Sequence, residues 1–191
     1  MLVPNYLLTL HQPLFGPLHK RSDGTFVFAA PLGQGHVTMI ALEDLGWWAR
    51  YVFEHRLETS GKDLEIASDV VDWDQLVSTF KAVTGQKAVY KPLDIDEWMN
   101  LFDGTNLPVA SGRAIGDGST TWREDFAAFY ALWRDDIMPR DLAWIRSVHP
   151  ESYTLERWMR EKNYTGEWQP LLKNIEEGHT VTPKMDLISQ L

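Results

Sequence analysis

The chain has 191 residues, 44% of them hydrophobic and 24% charged, which is the ordinary composition of a globular protein with one sizeable core or two small ones. Its formal net charge of -9, with no concentrated basic patch, argues against nucleic acid and anionic membranes as partners. Because it has no cysteine, it can form neither a disulfide, a thiolate metal site nor a cysteine nucleophile, and a reducing cytosol fits this composition.

The first hundred residues are predicted to alternate short strands with helices, from the spacing of apolar residues between turn signals. The predicted order is a helix-like segment at residues 6–15, strands at 25–30 and 36–40, a helix at 43–56, a strand at 64–67, a helix at 73–84, a strand at 87–91 and a helix at 94–102. Asp72 is the expected cap of the third helical segment, and Gly85 is where it should stop. The opening residues show no recognisable first strand, so we expect further chain to precede them in relatives.

Residues 103–121 are rich in Gly, Ser, Thr and Asn without apolar periodicity, which predicts a long loop. Thr121 and Glu124 then have capping-box spacing, and one helical face follows, formed by Trp122, Phe126, Phe129, Trp133 and Ile137. Further helices are expected at residues 141–149 and 154–162. The predicted organisation is a first part at residues 1–102, a loop at 103–121 and a helical extension at 122–191 packed on the same body.

A phosphate-binding loop needs closely spaced glycines between a strand and a helix, so that backbone N–H groups converge on the anion. The nearest candidate, Gly33-Gln34-Gly35, has Thr38 at the third glycine position and precedes a predicted strand. We therefore interpret it as a structural turn. A tyrosine with a lysine four residues later, a pair that lowers the phenol pKa for proton transfer, is also absent.

Metal and acyl-transfer chemistry find no support in the residue spacing. None of the six histidines pairs with another at the four-residue spacing of a helical metal site, and no Gly-x-Ser-x-Gly elbow occurs. The carboxylates of Asp135, Asp136 and Asp141 stand among arginines, which favours exposed ion pairs over a cation site.

Several short segments follow one another in an order typical of a known family. They are Pro13-Leu14-Phe15, Asp23-Gly24-Thr25-Phe26, Ala30-Pro31, Asp44-Leu45-Gly46, Val89-Tyr90, Trp133-Arg134-Asp135-Asp136, Trp158-Met159 and Tyr164-Thr165-Gly166. In this order they resemble the carboxyl-terminal, substrate-domain portion of fungal NmrA-like proteins, which are atypical short-chain dehydrogenases with isoflavone-reductase-like relatives. The resemblance implies an α/β fold, or an α+β remnant of one: a partial, truncated Rossmann-type fold with few short strands, substrate-domain helices and a helical tail.

In such proteins a glycine-rich turn near the amino end binds NADP, and no matching motif occurs in this chain. The resemblance thus implies NADP as the family cofactor and a chain that is incomplete for binding it alone. Asn5 is the one cofactor-side residue carried over, since it matches a loop asparagine near the nicotinamide. The implied substrate pocket is formed by Leu7, His11, Phe15, Trp47 and Trp48, with a simple core cluster as the alternative interpretation.

Three functions stay open at this point. The chain could be an oxidoreductase-type protein acting on a small organic, secondary-metabolite-like substrate, with the cofactor half supplied elsewhere. It could instead be a non-catalytic regulatory or ligand-binding module acting through protein partners, or a cofactor-independent enzyme that keeps the substrate pocket. We expect a cytoplasmic or nuclear location, and a second copy or a partner chain that completes the sheet.

Overall fold

The computed structural model describes residues 5–13, 15–110, 112–169 and 181–191, and it has the predicted mixed α/β architecture. The strands are β1 (Asn5–Tyr6), β2 (His19–Lys20), β3 (Phe26–Ala30), β4 (Val37–Ile40), β5 (Asp69–Val71), β6 (Ala88–Pro92), β7 (Phe102–Asp103) and β8 (Thr182–Pro183). A 3-10 helix spans Leu7–His11, and the α-helices are α1 (Leu42–Glu54), α2 (Arg56–Thr59), α3 (Trp73–Thr84), α4 (Ile95–Asn100), α5 (Trp122–Arg134), α6 (Leu142–Val148), α7 (Leu155–Glu161) and α8 (Met185–Ile188). None of these described helices is long and apolar enough to cross a membrane.

The described strands form two three-stranded sheets and one two-stranded pair. In the first sheet β4 lies between β1, which is parallel to it, and β5, which is antiparallel. In the second, β3 lies between antiparallel β2 and parallel β6. Strands β7 and β8 pair antiparallel and bring the end of the chain beside the start of the long loop.

Local sequence signals explain where several helices begin and end. The Asp72 carboxylate accepts a hydrogen bond from the backbone N–H of Gln75, and Gly85 closes α3 in the left-handed conformation at φ 69°. Thr121 and Glu124 form the predicted capping box at the start of α5. These predictions from the sequence are confirmed.

Two predicted elements are wrong. Residues 64–67 form no strand, because the backbone pairing with β4 begins only where the Ser68 N–H donates to the Met39 carbonyl, so the strand is β5. Ile137 does not extend the buried face of α5, because that helix ends at Arg134 and the Ile137 side chain is 59% exposed. The opening residues, in which no strand was recognised, contain the two-residue strand β1.

The buried apolar residues form two clusters. The main cluster contains residues from both sides of the 103–121 loop, among them Leu7, Phe28, Trp98, Tyr130 and Trp158. A smaller cluster lies beside it, with Ile40, Trp48, Ala67 and Ile145 at its centre. The helical tail therefore shares one core with the strands that precede the loop.

Candidate functional site

The predicted pocket residues near the amino end lie in or against the main core. Leu7 is fully buried, and Phe15 packs its ring on those of Phe129 and Tyr130, with centroids 5.9 and 6.1 Å apart. His11 is partly exposed. Asn5, the predicted cofactor-side residue, pairs through its backbone with Met39 of β4.

The His11 ring stands against two aromatic side chains of the tail. Its centroid is 5.7 Å from that of Trp158 and 5.0 Å from that of Tyr164, whose hydroxyl donates to the Leu10 carbonyl at 2.7 Å. The His11 Nδ1 atom is buried and has no hydrogen-bond partner among the described residues. Burial also lowers the pKa of His11 below its usual 6.5.

Trp47 and Trp48 belong to the second cluster, so the structure does not bring the five predicted pocket residues into one cavity wall. Trp48 is buried, whereas Trp47 is partly exposed. Trp47 stacks on His149 with ring centroids 4.0 Å apart and planes 1° apart, and on Tyr51 at 5.3 Å. Tyr51 in turn stacks on His55 at 4.1 Å, so four rings form a column along α1.

A buried carboxylate lies next to this column. Asp44 is 2% exposed, and it accepts hydrogen bonds from the Ser68 hydroxyl, from His149 Nε2 at 3.0 Å and from the backbone N–H of Tyr153 at 2.9 Å. The Ser68 oxygen itself accepts from the backbone N–H of Ala41 at 2.9 Å. We call Asp44, Ser68 and His149 the Asp44 cluster.

The Asp44 cluster contains a serine, a histidine and an aspartate, but its arrangement is not that of a hydrolase. A catalytic triad needs the serine hydroxyl on the histidine, whereas the Ser68 hydroxyl donates to the carboxylate and is fully buried. The cluster instead ties the start of α1 to the entry of β5 and to the connection between α6 and α7. Its role is structural, because its hydrogen bonds hold these segments together beside the aromatic column.

The sequence marked Asp44 only through the Asp44-Leu45-Gly46 resemblance, and it gave no sign of Ser68 or His149 as its partners. These partners lie 24 and 105 residues away along the chain, so no local spacing could have revealed them. A second buried carboxylate, Asp69, has a similar role, because it accepts from the backbone N–H of Leu155 at 2.8 Å and lies 3.6 Å from Arg146.

The glycines of the described chain do not form a nucleotide cradle. A Cβ added at Gly35 would lie 2.2 Å from the Trp133 carbonyl oxygen and 2.4 Å from the Arg134 Cα. Gly35 is therefore required for close packing against the end of α5, and the predicted structural turn is confirmed. Gly116 and Gly118 have positive φ with open space around them, as turn residues do, in a loop that follows no strand-turn-helix pattern. None of these glycines forms a backbone cradle for a dinucleotide pyrophosphate.

The tyrosines with shifted pKa values give no sign of an activated proton donor. Burial raises the pKa of Tyr90 to about 12, and burial also raises those of Tyr130 and Tyr164. The hydrogen bond to the Glu161 carboxylate, at 2.7 Å, raises the pKa of Tyr153 to about 12. A reductase tyrosine would need the opposite shift. No three His, Asp or Glu side chains within the described ranges come together as metal ligands.

Comparison with known proteins finds a partial sequence similarity. No protein-family model matches it. An NmrA-like family domain-containing oxidoreductase of Aspergillus hancockii is 31% identical over 103 residues, which are 51% of this chain and 31% of that protein.

The fold is that of several solved structures. A nucleoside-diphosphate-sugar epimerase of Staphylococcus aureus matches 82% of the chain with a TM-score of 0.59 and 14% identity. NmrA, a negative transcriptional regulator, matches 83% with a TM-score of 0.57 and 18% identity, and its complex with NAD has a TM-score of 0.58 at 15% identity. In each case the chain spans 50% of the solved protein. The chain is therefore related to an NmrA-like oxidoreductase in sequence, and it has an NmrA-like fold over half the length of NmrA.

Proposed function

We propose that this protein is an oxidoreductase-type NmrA-like protein of small-molecule metabolism, and that a separate dinucleotide-binding part completes it for redox chemistry with NADP. The similarity to the Aspergillus hancockii oxidoreductase, 31% identity over 103 residues, carries the proposal. The substrate is a small organic compound of the secondary-metabolite kind, handled in the cytosol or nucleus.

The surroundings of His11 support a substrate contact on this face of the core. Its ring combines a buried, unpaired Nδ1 with aromatic walls from Trp158 and Tyr164. Small-molecule sites commonly consist of such apolar and aromatic walls with a few polar groups. In this proposal His11 orients the substrate, and Leu7 and Phe15 support the 3-10 helix beneath it. Trp47 and Trp48 belong to the second cluster and do not contact the substrate.

The positions of the glycines support the proposal of a second part. Gly33 and Gly35 pack against α5 instead of facing a ligand, and no other described glycines form a strand-turn-helix cradle. Asn5 is the cofactor-side residue of the proposal, because its backbone lies on β1 at the side of the first sheet opposite β5. A dinucleotide-binding part that extends this sheet would bring the nicotinamide beside Asn5.

Calorimetric titration of the purified chain with NADPH and NADP tests the cofactor part of the proposal. The folded chain alone should give no saturable heat, while a complex with the dinucleotide-binding half of an NmrA-like oxidoreductase should bind one NADPH. His11→Ala in that complex should raise KM for the reducible substrate and leave NADPH affinity unchanged. Stoichiometric NADPH binding by the isolated chain, or an equal effect of His11→Ala on both ligands, would contradict the proposal.

A regulatory function is the second candidate, because NmrA, a negative transcriptional regulator, shares the fold over 83% of this chain. In this case the completed protein would bind NADPH but would not oxidise it in the presence of any carbonyl or quinone substrate. Because NADPH is the hydride donor in such reductions, stopped-flow absorbance at 340 nm would measure its oxidation.

An exposed apolar surface supports a protein partner. Phe53 at the end of α1 is 81% exposed, Leu57 in α2 is 93% exposed and Val52 is 39% exposed. Apolar side chains grouped in this way often mark protein interfaces. We propose that a second copy or the completing chain covers this surface.

Sedimentation velocity over a range of concentrations tests this contact. The wild-type chain should associate with itself or with the completing chain, and Phe53→Glu should abolish that association. Met185→Glu, at a side chain 55% exposed elsewhere on the surface, is the matched control and should leave association intact. A wild-type monomer that also fails to bind the completing chain would contradict the proposed interface.

A further inference from the structure

A polar cleft lies against the long loop, between its first residues, the Ile115 turn and the start of α5. Its volume is about 370 Å³, within the range of small-molecule sites. The wall residues come from the end of α4, from β7 and the loop that follows, from the start of α5 and from the segment before α8; those used below are Asn100, Phe102, Leu107, Ile115, Arg123 and Lys184. None of them belongs to the surroundings of His11 or to the Asp44 cluster.

Two cationic side chains meet at one residue of this cleft. The Arg123 Nη2 lies 3.0 Å from the Asn100 Oδ1, and the Lys184 Nζ lies 3.2 Å from the Asn100 carbonyl oxygen. The two side chains are each 31% exposed, so both keep access to a ligand. In a chain with a net charge of -9, two cations that converge on one cleft form a local site for an anion.

Main-chain hydrogen bonds fix the two segments that carry the cations, and Asn100 contacts both charged groups. The Arg123 N–H donates to the Thr105 carbonyl at 2.7 Å, and the Lys184 N–H donates to the Leu101 carbonyl at 2.8 Å. The pairing of β7 with β8 fixes the second wall as well. A ligand would therefore find the two charges already positioned, which lowers the entropy lost on binding.

The carboxylates that neutralise these cations are exposed. Asp96 lies 3.2 Å from Arg123 and is 83% exposed, and Asp103 lies 3.5 Å from Lys184 and is 69% exposed. Exposed ion pairs contribute little because water and salt screen them. A ligand carboxylate can replace either aspartate at little cost.

Two apolar side chains lie beside the cations in an otherwise polar wall. Leu107 is half-buried and Ile115 is 72% exposed at the rim, whereas Phe102 is buried at 2% exposure and offers a ligand almost no surface. Inorganic anions would leave these groups without contacts, whereas an aromatic or aliphatic body would cover them.

We propose that this cleft binds a small amphipathic carboxylate, with Arg123 and Lys184 on its charged group and Leu107 and Ile115 on its apolar body. The ligand carboxylate accepts hydrogen bonds from the guanidinium and the ammonium group. This site is independent of the proposed redox function, and it holds or fails whether or not the chain binds NADPH in a complex.

Two-dimensional NMR of the ¹⁵N-labelled chain, titrated with 2-naphthoate, tests the site. The amide signals of Gly104 and Asn106, in the loop that walls the cleft, should shift and saturate with one dissociation constant. 2-Naphthamide, which has the same shape without the charge, should bind at least about tenfold more weakly, as should inorganic phosphate. Equal binding of naphthamide or of phosphate would overturn the proposal, as would no saturable shift.

Four variants separate the site from general electrostatics. Arg123→Ala and Lys184→Gln should each weaken naphthoate binding about tenfold, the value of one charge-assisted hydrogen bond. Arg113→Gln removes an equal charge from the same loop but outside the cleft wall, and it should leave the affinity unchanged. Asp96→Asn releases Arg123 and should tighten binding about two- to fivefold.

A gain of affinity cannot come from loss of folding, so the Asp96→Asn result stays informative even if another variant is unstable. Equal weakening by Arg113→Gln, or no gain in Asp96→Asn, would show that the binding depends on overall charge and would overturn the site.

Discussion

Replacing Asp44 by alanine should destabilise the protein by about 3 to 5 kcal/mol, because it removes the acceptor of three buried hydrogen bonds. The carboxylate is 2% exposed and accepts three hydrogen bonds, from the Ser68 hydroxyl, His149 Nε2 and the Tyr153 backbone N–H. A buried donor left without its acceptor costs about 1 to 3 kcal/mol, and such costs are not additive within one cluster. A domain of this kind has a total stability of only about 5 to 15 kcal/mol, so the loss should be a large fraction of it.

Urea denaturation followed by circular dichroism gives the free energy of unfolding of each variant. Glu54→Gln, which breaks an exposed ion pair with Arg50 on the same helix, is the matched control and should change stability by less than about 0.5 kcal/mol. His149→Gln alone and combined with Asp44→Ala completes a double-mutant cycle, in which the coupling energy should exceed about 1 kcal/mol. A loss of less than about 1 kcal/mol in Asp44→Ala, similar to that of the control, would refute the structural role of the Asp44 cluster.

Two glycines and two titrating groups give further tests. Gly35→Ala should destabilise the protein by about 1 to 3 kcal/mol, because the added Cβ would overlap the backbone of α5. Gly46→Ala, in open space on α1, should instead stabilise it by about 0.5 to 1 kcal/mol. Urea denaturation that ranks the two variants in the reverse order would contradict the close packing at Gly35. Burial lowers the pKa of His11, so the folded state favours the neutral ring. Its contribution to the free energy of unfolding is therefore fully present above pH 6.5 and is lost as the pH falls through the lowered value. An NMR titration that gives a pKa at or above 6.5 would contradict this. Hydrogen bonds from Thr121 lower the pKa of Glu124, so the capping box stabilises α5 above pH 4.5 and this stabilisation is lost as the pH falls through the lowered value. Thr121→Ala should raise the pKa of Glu124 part of the way towards 4.5, which ¹³C NMR of the carboxyl group measures. No rise would exclude the side-chain contact.

The sequence predicts the local features of the fold well. Caps and stops such as Asp72, Gly85 and Thr121 act within three residues, and the structure places each where the pattern predicts. The prediction of a strand at residues 64–67 is wrong because its apolar residues lie in a loop that packs against the second cluster. The strand that pairs with β4 is β5, which contains Asp69. A buried carboxylate in a strand is rare, and only its distant partners make it acceptable there.

The candidate site was harder to predict than the fold. The spacing of His11 and Phe15 predicts that both lie in the first helix-like segment, but it cannot show that Trp47 packs in a different cluster. The cleft at Arg123 and Lys184 depends on residues 61 positions apart in the sequence, joined only by their contacts with Asn100. Such groupings result from packing and leave no periodic trace in the chain.

The contacts of the 3-10 helix with the tail also affect how the protein is made. The Leu10 carbonyl receives its hydrogen bond from Tyr164, 154 residues later, and the His11 carbonyl receives one from the Gln169 N–H. At a translation rate of about 5 to 20 residues per second, the ribosome supplies these partners roughly 8 to 30 seconds after the first segment. The Leu10 and His11 carbonyls lack these partners for that time, so the nascent chain should depend on chaperones, and release before the tail is complete should give aggregation in place of a smaller folded product.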